Sequence, residues 1–139
     1  MKRKANAHWK GTLEEGQGEL STQSAVLTGT SYSFKTRFAG AIGTNPEELL
    51  AAAHAGCFTM AVSAFLGQHN FVAGDLDTTA EVEVDVKTLS VTGIHLELKA
   101  GRVEGLDEAL FTQLAEGAKA HCIISKALSV PVTLKVTYA

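Results

Sequence analysis

Cysteine is scarce in this chain, with two in 139 residues. That is too few for the disulfide framework of a small secreted domain. Positive charge is also short. Twelve Lys and Arg stand against fifteen Asp and Glu, a formal net charge of −3, where a nucleic-acid binder needs a basic face. The one basic cluster, Lys2, Arg3 and Lys4, reads as a solvated tail. No apolar stretch follows it, so no secretory signal is expected. The expected compartment is the cytoplasm, where a disulfide is transient and redox-active. Internal repeats and low-complexity segments are lacking as well.

What is present is a globular composition, 45% apolar and 19% charged. The length fits a single domain over residues 1–139, large enough to bury a core without metal or disulfide staples. Residues 5–38 read as short strands broken by turns, with Ser31–Phe38 as the last of them. Asn45, Pro46 and Glu48 then form a helix start: an N-cap, a first-turn proline and the acidic partner of a capping box. That helix is expected to run to about Leu66, with Gly67 as its stop. Alternation at Ala80–Val86 and Ile94–Leu98 predicts a hairpin turning near Gly93. A helix from Asp107, a break at Lys119–Cys122, a short helical piece to Leu128 and a strand at Val132–Tyr138 follow. The class is α+β.

Leu49–Leu66 carries no Asp, Glu, Lys or Arg over 18 residues, close to the lower limit for a membrane span. Its His54, Thr59 and Ser63, its many alanines and its missing aromatic belt argue instead for the buried centre of a soluble protein. No membrane partner is expected. One sheet layer covers only one face of such a helix, so a homodimer with these helices at its centre is expected.

Two thiols are candidates for chemistry. Cys57 lies in mid-helix, where a free cysteine reads first as a small buried hydrophobe. Cys122 precedes a short helix, where N–H groups and nearby cations lower a thiol pKa. Neither signal is specific alone. The five histidines and two cysteines show no metal-ligand spacing, so no metal and no cofactor are expected. His54 beside Cys57 and His121 beside Cys122 leave a Cys/His hydrolase open, without a third orienting residue. Arg37 stands among Tyr32, Phe34 and Phe38, and an arginine in apolar company needs an anion. Glu47 and Glu48 are available. Capping and the helix dipole account for one and leave the other free to pair.

Several stretches together resemble the OsmC/Ohr family of thiol peroxidases, in its OsmC branch. They are Ala7–Gly11 (AHWKG), Gly16–Ser24 (GQGELSTQS), Thr36–Gly40 (TRFAG), Gly43–Leu49 (GTNPEEL), Ala52–Met60 (AAHAGCFTM) and Asp77–Ala80 (DTTA). The helix start with a cysteine ten residues beyond Glu47 is the most specific of these. The resemblance implies an intertwined α+β dimer, an antiparallel sheet packed around long central helices, and sites at the subunit interface. It implies Cys57 as peroxidatic cysteine, Cys122 as resolving cysteine, Arg37 as the arginine that stabilises thiolate and peroxide, and Glu47 as the carboxylate holding it. Ile123 departs from the proline that usually follows the resolving cysteine.

The implied activity is reduction of organic hydroperoxides, and of hydrogen peroxide, with regeneration by an external dithiol. Phe38, Leu50, Phe58 and Met60 are the candidate walls of an apolar substrate pocket. A non-catalytic dimer that binds a small hydrophobe, with Cys57 as packing, is the alternative.

Overall fold

The structure, a computed structural model, describes residues 1–139. Two compact units are present, Met1–Leu49 and Leu50–Ala139.

The first unit holds strands β1 (Ala5–Lys10), β2 (Gln17–Thr22) and β3 (Thr30–Tyr32) in an antiparallel sheet of that order. Gly18 in β2 lies beneath the tilted ring pair of Trp9 and Tyr32, whose centroids are 5.5 Å apart. A Cβ there would meet both rings, so the glycine permits the packing. The strand expected over Ser31–Phe38 stops at Tyr32. Ser33 caps a short helix, α1 (Phe34–Phe38), through a reciprocal capping box with Thr36. Local side-chain hydrogen bonds thus override the partial alternation of Tyr32, Phe34 and Thr36.

Helix α2 (Pro46–Gln68) begins where the sequence places it. Asn45 Oδ1 accepts from the Glu48 backbone N–H at 2.8 Å. The return half of the expected capping box is not made, because Glu48 Oε1 takes the Thr44 hydroxyl at 2.8 Å instead. The helix passes through Gly67 and ends at Gln68, and Asn70 supplies the left-handed residue beyond it (φ 63°).

The second unit continues with β4 (Leu76–Asp85), β5 (Ser90–Ala100), α3 (Glu108–His121), α4 (Ile123–Ala127) and β6 (Val132–Tyr138). The hairpin turns at residues 86–89, with Leu89 at φ 52°. Gly93 lies within β5, opposite Glu83 beside an irregularity in the register. The sheet departs from the antiparallel one expected. β4 and β5 are antiparallel, whereas β6 returns through α3 and α4 and pairs parallel to β5.

Asp107 caps α3, accepting from the Leu110 N–H at 2.8 Å. One core cluster joins Phe58, Val62 and Leu66 of α2, Ile94, Leu96 and Leu98 of β5, and Phe111, Leu114, Ala115 and Ala118 of α3. Each large side chain buried there is worth roughly 1.5–3 kcal/mol. Tyr138 closes one end, stacked on Phe111 at 4.3 Å with its hydroxyl donating to the Leu106 carbonyl at 3.0 Å. By length and composition α2 is able to cross a bilayer. Its His54, Phe58, Val62 and Leu66 form one buried stripe. Ala52, Gly56, Met60, Ser63 and Gly67 form a second stripe, exposed in the single chain.

Candidate active site

Within the first unit, Arg37 in the last turn of α1 meets Glu47 in the first turn of α2. The pairing is bidentate: Nη2 donates to Oε1, and Nε donates to Oε2 at 3.2 Å. The guanidinium also lies 4.9 Å from the Phe38 ring centroid. The hydrogen bond from Arg37 holds the Glu47 carboxyl below the usual carboxylate range, against a smaller opposing effect of burial. The neighbours Tyr32, Phe34 and Phe38 suggest an Arg37 sunk in apolar company. The side chain is instead 35% exposed and its partner 21%. A pair this exposed contributes little to stability, about 0–1 kcal/mol. Its fork-to-fork geometry fixes the direction of a positive charge.

Within the second unit, α2 carries Cys57 and the junction of α3 and α4 carries Cys122. Both are free thiols, and their sulfurs share a hydrogen bond at 3.0 Å. Cys122 is buried and Cys57 half-buried. Burial pushes the Cys57 thiol up, and the bond to Cys122 pushes the same way, against the backbone N–H groups of Ile124 and Ile123. Cys122 moves the other way. Burial alone would raise it, but Cys57, Ser125 and the Ile124 N–H together hold it below the ordinary thiol value. Cys122 closes α3 and opens α4 with φ −58° and ψ 130°. That extended conformation is the one a residue before proline adopts, so the turn forms with Ile123 in the proline position.

Two further residues join this pair. His54, one turn before Cys57, is fully buried, and its Nε2 lies 2.7 Å from Ser125 Oγ on α4. The sequence alone offers His54 as a metal ligand or general base and does not single out Ser125. The available signal was the shared three-residue spacing, His54 to Cys57 and Cys122 to Ser125. His121 turns elsewhere, with Nδ1 2.9 Å from the Gly117 carbonyl oxygen. No three His, Cys, Asp or Glu side chains gather as a metal site. Of the expected pocket walls, Phe58 is a correction, because it is fully buried in the core and faces no open space. Met60 is exposed, and Phe38 and Leu50 are half-buried.

The family model described as OsmC-like protein matches residues 39–137. The chain is 43% identical over 134 residues to Peroxiredoxin OsmC of Escherichia coli strain K12, covering 95% of this chain and 93% of the relative. The chain belongs to the OsmC-like family. An organic hydroperoxide resistance protein-like relative from Mycoplasma pneumoniae is 35% identical over 85 residues, 59% of this chain and 58% of the relative. Two solved structures share the OsmC-like fold. The organic hydroperoxide resistance protein OhrB of Bacillus subtilis superposes with a TM-score of 0.69 at 24% identity, over 96% of this chain and 98% of that one. An OsmC-like protein from Mycoplasma pneumoniae superposes with a TM-score of 0.75 at 12% identity, over 100% and 98%.

Proposed function

We propose that the protein is a peroxiredoxin-like peroxidase that reduces organic hydroperoxides, and hydrogen peroxide, through Cys57 and Cys122. The observation that carries the reading is the approach of two free thiols to 3.0 Å. A peroxidase role is supported by the 43% identity to a protein named a peroxiredoxin.

The chemistry balances with the residues present. Cys57 thiolate attacks one oxygen of the hydroperoxide, the O–O bond breaks, and the departing alkoxide takes a proton to leave as an alcohol. Cys57 is then a sulfenic acid. Cys122 thiolate attacks that sulfur, an S–S bond forms, the S–O bond breaks, and hydroxide leaves and is protonated to water. An external dithiol reduces the disulfide by exchange. Burial raises the Cys57 thiol, so its ionisation calls for a cation. Arg37, held by Glu47, is the guanidinium this reading assigns to that task.

The reading includes a homodimer, one OsmC-like domain over residues 1–139, and a soluble cytoplasmic protein without nucleic-acid or membrane partners. The exposed stripe of small residues and Met60 on α2 supports the dimer, since such a face admits a second helix closely. The family model runs across the division between the two units, which supports the single domain.

The test is peroxide consumption with tert-butyl hydroperoxide and a lipoyl-type dithiol. Cys57→Ser is expected to abolish it. Consumption that survives the change would instead favour a dimer that binds a small hydrophobe.

A further inference from the structure

His54 is an unusual member of the buried stripe of α2, whose other residues are Phe58, Val62 and Leu66. It is 0% exposed, and burial alone pushes its pKa below the ordinary imidazole value, so it is neutral near pH 7. Nε2 lies 2.7 Å from Ser125 Oγ, whereas Nδ1 is buried without a hydrogen-bond partner. These facts choose the tautomer. A proton on Nδ1 would be a buried N–H without an acceptor, which folded proteins rarely tolerate. A proton on Nε2 has Ser125 Oγ to receive it. The network thus assigns Nε2–H as donor and the serine oxygen as acceptor. The Ser125 hydroxyl proton is left to donate elsewhere.

Ser125 follows Cys122 by three residues, in the short helix that Cys122 opens. Two cross-links therefore tie α2 to the α4 segment: Cys57 to Cys122, and, one turn away, His54 to Ser125. The first is consumed by the redox cycle. The second is not.

We propose that His54 and Ser125 are positioning residues for disulfide formation: the hydrogen bond between them pins the turn that carries Cys122 to α2 and holds its sulfur beside Cys57 through the redox cycle. The proposal rests on the two-thiol reading above. Neither residue exchanges a proton with substrate. Their bond persists while the S–S bond forms and hydroxide departs. The neutral imidazole is suited to this task, because it supplies a fixed donor without adding a buried charge.

The test has two arms. In reduced protein without peroxide, hydrogen exchange of the α4 backbone amides is followed. Ser125→Ala is expected to speed it about tenfold, the size of one lost buried hydrogen bond. Ser125→Thr, which keeps the hydroxyl, is expected to restore most of the protection. In the second arm, single-turnover oxidation by tert-butyl hydroperoxide is followed in otherwise unaltered protein. Ser125→Ala and His54→Leu are expected to form dimedone-trappable sulfenic acid at Cys57 within about twofold of wild type, and to form disulfide about tenfold more slowly. His54→Gln, whose amide nitrogen can replace Nε2–H, is expected to lie near wild type. An unchanged disulfide rate in Ser125→Ala would overturn the positioning pair alone, whatever the α4 exchange shows. Absence of sulfenic acid in wild type would overturn the peroxidase reading, and is distinguishable because the first arm uses no peroxide.

Discussion

Glu47 grips Arg37 through both carboxylate oxygens, with Nε to Oε2 at 3.2 Å, from the first turn of one helix to the last turn of another. The pair is too exposed to matter much for stability. Glu47→Gln keeps the shape and removes the charge, so its urea midpoint should correspond to a loss below about 1 kcal/mol. Oxidation of Cys57 in a single turnover should nevertheless slow about tenfold, the cost of a weakened charge-assisted contact. A rate equal to wild type would remove Glu47 from the proposed machinery.

Acid should weaken the fold through His54. Its folded pKa is depressed by burial, so between the unfolded value of 6.5 and the folded value the unfolded chain binds the extra proton. Stability is full above pH 6.5 and falls as pH drops from there toward the folded value. The urea midpoint of wild type should therefore fall from pH 7.5 to pH 5.5, and that of His54→Gln should fall less. Parallel curves would show that His54 does not carry the effect.

The fate of these residues shows how far a sequence speaks. The start of α2 was legible because Asn45, Pro46 and Glu48 act locally, and the Asn45 cap is made as the spacing implies. The partner of Arg37 was legible for a partly mistaken reason, since the arginine is not buried. The Ser33–Thr36 capping box encodes α1, but the partial alternation of Tyr32, Phe34 and Thr36 points to a strand over the same residues, and the two local signals compete. The parallel pairing of β6 depends on the path of the chain through α3 and α4, which no local pattern encodes. Ser125 was missed because its partner stands 71 residues away.

Ile123 offers a two-sided test. Cys122 already has the backbone conformation a following proline requires, and position 123 is the first of α4. Ile123→Pro should therefore be accommodated without breaking the turn, with a urea midpoint close to that of wild type. It also removes a backbone N–H that helps to lower the Cys57 thiol pKa. In a Cys122→Ser background, iodoacetamide should then alkylate Cys57 with a higher pH midpoint. A lower midpoint would contradict the role given to that N–H.

The exposed stripe of α2 predicts the assembly. Met60 is 76% exposed in the single chain. Sedimentation equilibrium should give a particle of twice the 14.6 kDa chain mass, and Met60→Glu should shift it toward the single chain by placing a charge in the helix contact. A monomeric wild type would refute the dimer.

The central claim is that Cys57 and Cys122 form one redox pair, and the most direct measurement is non-reducing peptide mass spectrometry after one equivalent of tert-butyl hydroperoxide. The account predicts a cross-linked peptide joining Cys57 to Cys122, two hydrogens lighter than the separate thiols. It also predicts sulfenic acid at Cys57 in Cys122→Ser and no oxidation of Cys122 in Cys57→Ser. Both thiols remaining free in wild type, while the peroxide is consumed, would contradict it.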